Sequence, residues 1–479
     1  MDMFIEGAWV ASHSGETDPV TDPSTTQVFD TVPRANAQDA QDAIKAAQQA
    51  FKHWSQRTMA DRVVILKACA TLMRENVQML GDALHRELGR PLPGCVAEII
   101  SSADLLNIYI EEGLRLHGEM PIATGVGEKT MITRDPIGVV VAITPFNFPI
   151  TLLMFKIGAA LTAGCTVVAK PSEDTPTSTL LLAEIFHKAG LPSGAFNVVT
   201  GTGQGVGEAL VNHPIPRKIA FTGGGVAGKA IAAAAAGTVK RVTLELGGHC
   251  PAIVCADADL DKATTAILRH GTANSGQFCY RVNRVYVERA VYDEFLEKLT
   301  DKVGALTLAP AGGKGDLGPI INEKIFTNSV LQSDDAKAKG ARILCGGARQ
   351  TGDGFDEGFY FPPTILADVT DEMLVLQKET FGPVLGICPV DSAAEALESA
   401  NNSEYGLAGF VFCRDLAKGL TLCEGLEAGL VWLNDIQRSS HYTPFGGVKQ
   451  SGIGREKGRW GVEAYLEYKT IYLSYEVPE

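Results

Sequence analysis

The chain has 479 residues, of which 45% are hydrophobic, 20% charged and 7% aromatic. That length allows roughly two to four domains, and the apolar fraction excludes wholesale disorder. Forty-two Lys and Arg against 56 Asp and Glu leave a net charge of −14. This acidic balance argues against non-specific nucleic-acid or anionic-membrane binding, both of which need a basic face.

The first ten residues, MDMFIEGAWV, lack the basic start and apolar core of a signal peptide. No run reaches the ~18 uninterrupted apolar residues of a spanning helix, so a cytoplasmic protein with no membrane partner is expected. Residues 37–54 place Ala40, Ala43, Ala47, Ala50 and Trp54 near helical period, with Asn36 as N-cap. Helical patterns at 60–88 and 94–116 make the first third read as helix-rich. From residue 131, short β-branched runs at 139–141, 166–168, 197–199 and 218–221 alternate with helical segments at 150–162, 177–189, 204–211 and 228–236. Apolar strands separated by helices predict a parallel sheet covered on both faces. Strands near 283–288, 341–345 and 384–389 predict a second α/β lobe. The tail 470–476 alternates weakly and reads as an edge strand, which either pairs with another chain or completes its own sheet.

Two glycine-rich turns follow strands. Gly201-Thr-Gly203-Gln-Gly205-Val-Gly207 misses the dinucleotide spacing, whereas Gly223-Gly-Gly225-Val-Ala-Gly228 fits G-x-G-x-x-G. Glycines let a backbone approach a pyrophosphate, and the free N–H groups of a helix start favour its charge; the motif alone also fits a tight turn. The acid expected about 20 residues on for a ribose has two candidates, Glu245 and Glu173, and spacing does not decide between them.

Ten cysteines are scattered with no Cys-x-x-Cys, so neither a zinc ribbon nor a disulfide framework fits, and no metal is expected. Nine lie mostly in apolar runs, where burial keeps a thiol inert. Cys279 lies instead in a polar, glycine-containing turn, Asn274-Ser-Gly-Gln-Phe-Cys279, which supplies the exposure a nucleophile needs. Glu245, between leucines at a strand end, sits where an apolar setting raises a carboxylate toward general-base range. Asn147, between prolines in Thr144-Pro-Phe-Asn147-Phe-Pro149, is a rigidly held amide that suits an oxyanion donor. Each has an ordinary reading: a small buried residue, an ion-paired glutamate, a helix-capping asparagine.

Together the segments resemble the aldehyde dehydrogenase superfamily, in order and spacing over nearly the whole chain. Pro145-Phe-Asn147-Phe-Pro resembles its aromatic-Asn-Phe-Pro motif, Lys170-Pro-Ser-Glu173 its cofactor-ribose motif, and Phe221-Thr-Gly-Gly224 its phosphate turn. Glu245-Leu-Gly-Gly resembles its general-base motif, and Gly276-Gln-Phe-Cys279, 34 residues on, its nucleophile motif. Glu379-Thr-Phe381-Gly-Pro-Val and the run from Pro444 to Glu456 complete the set.

The resemblance implies an α/β fold of three parts. These are a Rossmann-like cofactor domain (1–119 and 138–246), a catalytic α/β domain (247–433) and a small β oligomerisation arm (120–137 and 459–479). It implies aldehyde oxidation to the acid, with Cys279 as nucleophile, Glu245 as base and Asn147 with the Cys279 N–H as oxyanion hole. The anion formed on the substrate would give hydride to the nicotinamide, leaving a thioester that Glu245-activated water hydrolyses. Ile143, Thr144, Pro145, Phe146, Lys170, Ser172, Glu173, Gly203, Phe221, Thr222, Gly223, Gly224, Leu246, Glu379 and Phe381 fall at cofactor positions. Glu173 and Lys170 would hold the adenosine ribose and Glu379 the nicotinamide ribose. Glu173 would repel a 2′-phosphate, favouring NAD, while Lys170 leaves NADP possible.

Two departures from the family pattern stand out: Gly224 replaces a serine of the phosphate turn, and Phe146 replaces a tryptophan. The aldehyde tunnel falls on Phe148, Thr151, Leu152, Phe155, Phe278, Tyr280, Gln437, Ser439 and Phe445, an aromatic mouth with a polar rim for a small to medium aldehyde. The two arginines of succinic semialdehyde enzymes fall at Phe155 and Ala273, which argues against that substrate, although Arg281 and Arg438 remain to meet an anionic tail. The resemblance further implies a homodimer or homotetramer. Rival readings are a CoA-acylating relative, which the presence of Glu245 disfavours, and a silent scaffold on the same fold.

Overall fold

Near-continuous β-branched runs form strands that must be covered on both faces. In the computed structural model, which describes residues 1–477, the runs Val139–Ile143, Thr166–Lys170 and Lys218–Thr222 are buried at every position. With Phe196–Val198 and Arg241–Glu245 they make the parallel centre of an eight-stranded sheet. Ala8–Val10 and Met3–Ile5 extend one edge and Gly452–Ile453 the other, with Met3–Ile5 antiparallel to Phe196–Val198 and Gly452–Ile453 antiparallel to Arg241–Glu245.

The helices follow the sequence pattern. Ala37–Trp54 starts on a capping box in which the Asn36 side chain accepts from Asp39 N–H and Asp39 accepts from Asn36 N–H. The 60–88 pattern splits at Asn76 into Met59–Glu75 and Val77–Leu88. Leu92–Arg115, Pro149–Ala163, Thr177–Lys188 and Gly225–Ala236 complete the cover, and 204–211 becomes a wide helical turn, Gly203–Gly207, leading into Glu208–Asn212. The N-terminal third is less purely helical than its pattern suggests, because Thr17–Thr21 and Val28–Pro33 pair as a ribbon beside the two edge strands.

The second lobe is a seven-stranded sheet. Its order is Arg342–Cys345, Thr364–Ala367, Val384–Val390, Val282–Glu288, Cys250–Val254, Ala408–Phe412 and Leu430–Leu433, parallel except for the first strand. The tail strand Leu466–Ser474 pairs within its own chain, antiparallel to Glu128–Pro136, over the whole length of both strands. Residues 478 and 479 of the arm range lie outside the described residues. Among the described residues no helix is long and apolar enough to cross a membrane.

Candidate active site

Ile143, Lys170, Thr222 and Glu245 are the last residues of four adjacent parallel strands, so they gather at the carboxyl edge of the first sheet. Ligands of open α/β sheets bind at this edge. Lys170 Nζ donates to Glu173 Oε1 at 3.3 Å and to the Pro171 carbonyl at 2.9 Å, and Gly203 N–H donates to the same Glu173 oxygen at 2.9 Å. Lys170 is buried while the Glu173 side chain is 46% exposed, so the acid stands at the rim where a ribose hydroxyl could reach it. Ser172 accepts from Asp174 N–H, and Thr144 N–H donates to the Lys170 carbonyl.

Gly224 precedes the helix Gly225–Ala236, whose first turn has no side-chain cap. A Cβ built on Gly224, Gly225 or Gly203 would meet nothing within 4 Å. The glycine that replaces serine therefore leaves an open cradle of uncapped N–H groups, which fits a pyrophosphate held by backbone donors alone. Beside it Phe221 packs under Gly223, and Leu246 fills the space against Gly228. Farther along, Glu379 Oε1 accepts from Gly248 N–H at 3.1 Å, and burial pushes its carboxyl up to about 7. Phe381, in the left-handed region at φ 55°, meets Phe146 edge to face at 5.7 Å.

The nucleophile turn runs from the helix Leu260–Thr272 into the strand Val282–Glu288. Asn274, Ser275 and Gly276 all take positive φ. A Cβ on Gly276 would lie 2.2 Å from the Gly382 carbonyl, so only glycine allows this close approach of two backbones. Gln277 pins the turn by accepting from Ile321 N–H at 2.9 Å and donating to the Asn274 carbonyl at 3.1 Å.

Cys279 is partly exposed and lines a cavity of about 610 Å³ together with Asn147. All nine positions assigned to the aldehyde tunnel line this same cavity. Phe278 and Tyr280 meet tilted with ring centres 4.0 Å apart, Phe148 meets Phe278 at 5.3 Å, and Phe155 and Tyr280 meet Phe445 at 5.6 and 5.4 Å. Asn147 does not cap the following helix. Its Nδ2 donates to the Gln277 carbonyl at 3.3 Å, which leaves its second N–H for the cavity.

Glu245 is 3% exposed, and neither carboxylate oxygen has a hydrogen-bond partner among the described residues. Burial, reinforced by the Glu456 carboxylate, holds its pKa well above the ordinary range, with Lys156 and Arg455 opposing. A Cβ on Gly446 would lie 2.7 Å from Glu245 Oε1, so the glycine makes room for the acid. Burial also drives the Cys279 thiol up, and Cys250, Glu379 and Glu245 add to the shift. The charge of the acid thus acts on the sulfur and favours the thiol form, so the turn supplies the exposure expected of it but not a field that favours thiolate.

Arg281 is no candidate for an anionic tail. It is fully buried and donates to the carbonyls of Gly271, Val282 and Val384 at 2.6–3.1 Å, outside the cavity wall; Arg438 does line it. Sequence reasoning missed Arg90, Glu98, Arg269, His270, Asp435, His441 and Lys457, which all line the cavity. Only Lys457 stood beside a recognised motif, and nothing in the sequence marked it as buried.

An open glycine cradle at a parallel-sheet edge, together with an open-mouthed aromatic cavity that has a thiol in its wall, fits a cofactor-dependent α/β enzyme. The model of the aldehyde dehydrogenase family matches residues 9–471. The chain is 40% identical to the succinate-semialdehyde dehydrogenase (NADP+) of Escherichia coli, over 98% of this chain and 97% of that protein. It is 39% identical to the 3-sulfolactaldehyde dehydrogenase of Pseudomonas putida, over 98% and 96%. A solved 3,6-anhydro-L-galactose dehydrogenase in complex with NAP superposes with a TM-score of 0.96 at 36% identity, covering 99% of each chain. The chain belongs to the aldehyde dehydrogenase family, oxidoreductases that act on aldehydes with NAD or NADP.

Proposed function

We propose that this chain oxidises a small to medium aldehyde to its carboxylic acid, with Cys279 as nucleophile, Glu245 as base and Asn147 as oxyanion donor. One observation carries the reading: the thiol and the amide share a single cavity, while an acid with no partner lies close enough to raise the thiol's pKa.

Because burial disfavours a free thiolate, Sγ gives up its proton only as it attacks the aldehyde carbon, and the carboxylate form of Glu245 receives it. The S–C bond forms as the carbonyl π pair moves to oxygen. The free Nδ2 hydrogen of Asn147 and the Cys279 N–H then stabilise that oxyanion. The bound nicotinamide supplies the acceptor for the hydride of the former aldehyde carbon. Once Glu245 has released the thiol proton to solvent, its carboxylate takes a proton from water as the water attacks the thioester; the C–S bond then breaks, the acid leaves, and Glu245 hands this proton to Sγ, restoring the thiol.

Lys170 and Glu173 would hold the adenosine ribose, the Phe221–Gly224 turn the pyrophosphate, and Glu379 the nicotinamide ribose, with Phe146 and Phe381 beside it. The rim carboxylate of Glu173 supports a preference for NAD over NADP, since it can accept from a 2′-hydroxyl and repels a 2′-phosphate. The family relationship and the acidic surface support a cytoplasmic homo-oligomer bridged by the Glu128–Pro136 and Leu466–Ser474 ribbon. An aldehyde panel assayed with NAD and NADP in parallel tests the reading. Wild-type protein is expected to reduce the cofactor and release acid without CoA, and Cys279→Ala to do neither while melting within a few degrees of wild type. Normal oxidation by Cys279→Ala would end the proposal.

A further inference from the structure

Lys457 is 3% exposed, yet it lines the cavity that holds Cys279. Its Nζ donates to the Ser439 carbonyl at 3.2 Å and to Ser439 Oγ at 2.7 Å, and stands 4.9 and 5.2 Å from the ring centres of Phe155 and Phe445. An ammonium has three N–H donors, so one remains. Among the described residues no carboxylate pairs with it. Its chain neighbour Glu456 pairs with Lys156 at 2.9 Å, and the two carboxylates of the cavity wall, Glu98 and Asp435, are held by Arg90 and Arg269.

A buried cation with no counter-ion is costly, and here burial pulls the lysine down to about 8. The wall tilts further toward anions. Arg90 Nε and Nη1 are buried without partners, and Arg438 faces the same cavity. Tyr280, the residue after Cys279, has its hydroxyl 3.4 Å from Ser439 Oγ, which accepts from Lys457. An anion that this wall complements shares one cavity of about 610 Å³ with the sulfur.

We propose that Lys457 determines substrate specificity. Its free N–H, with whichever of the Ser439 and Tyr280 hydroxyls does not donate to the other, receives the carboxylate or sulfonate end of a short aldehyde whose carbonyl lies at Cys279. This subsite rests on the aldehyde-oxidising function proposed above, and the test separates the two. Full-length wild type, Lys457→Met, Lys457→Arg and Ser439→Ala are assayed with 4-oxobutanoate, 3-oxopropanesulfonate and uncharged pentanal, and the first two arms distinguish the two anions. Wild type is expected to prefer at least one anion over pentanal, and Lys457→Met to reduce that preference about 10- to 100-fold through KM, the scale of one charged hydrogen bond. Lys457→Arg should retain most of the preference, and Ser439→Ala should lose part of it.

A second readout needs no turnover: butanoate should slow alkylation of Cys279 by iodoacetamide in wild type and not in Lys457→Met. Absence of an anion preference in wild type overturns the subsite while leaving the enzyme reading intact. An equal loss on all three aldehydes, with slower alkylation in Lys457→Met even without butanoate, also overturns it, because Lys457 would then serve the thiol. Failure to oxidise any aldehyde overturns the function itself.

Discussion

Burial pushes Cys279 and Glu245 in the same direction, and the Glu245 charge makes ionisation of the thiol harder still. A base is useful only in its charged form, so the sign of the pH dependence follows. As pH falls below the raised pKa of Glu245 the carboxylate is protonated, and thioester hydrolysis slows. The acid limb of kcat is therefore expected above the ordinary carboxylate range, with turnover rising as pH rises through it. In Glu245→Gln the limb should disappear and steady-state turnover fall by about 10²- to 10⁴-fold, the usual contribution of a positioned base. A rapid-mix experiment should show the first equivalent of reduced cofactor forming more slowly as well, because Glu245 also receives the thiol proton. Retention of the wild-type limb in the variant would place the base elsewhere.

At the scale of elements, the helix Pro149–Ala163 carries the cavity residues Thr151, Leu152 and Phe155, and it follows directly from Asn147 and Phe148. Its first turn is capped from outside. Glu98, on the helix Leu92–Arg115, accepts from Ile150 and Thr151 N–H at 3.0 Å each, and Arg90 ion-pairs with the same carboxylate. Glu98→Ala leaves two buried N–H groups and a buried guanidinium unpartnered. The expected cost is about 2–4 kcal/mol, seen as a lower Tm, with kcat/KM reduced for every aldehyde because Asn147 and Phe148 lose their support. An unchanged Tm would show that water replaces the cap.

Such long-range capping is what sequence cannot reveal. The parallel strands were legible because a strand buried on both faces must be apolar throughout, and Asn36 was legible because a capping box is local. Glu98 lies 52 residues from its partner Ile150, and the charge of Lys457 faces a cavity that exists only once two lobes and the tail have packed. The three-residue strands at Met3 and Ala8 were too short to show a period. Spacing alone left Glu245 and Glu173 both open for the ribose. In the fold Glu245 is buried with neither oxygen partnered, while Glu173 stands at the rim beside Gly203.

At the scale of the whole molecule, the ribbon of Glu128–Pro136 and Leu466–Ser474 is a sheet of only two strands, which is marginal by itself in water. Its residues do not join either large sheet, and Tyr468, Tyr472 and Leu473 are exposed at 67%, 80% and 41%. Glu119 bridges the Glu128–Pro136 edge at Ile132, and exposed rings on a ribbon whose other edge, Leu466–Ser474, has no further strand among the described residues are the usual material of a subunit contact. The 50.9 kDa chain is therefore expected to sediment as a multiple of that mass, and Tyr468→Asp with Tyr472→Asp to shift it toward the single chain. The substitutions lie on exposed faces, so the circular dichroism spectrum should be unchanged. A wild-type protein that sediments at 50.9 kDa, or a double variant that keeps the wild-type mass, would remove the ribbon from the assembly.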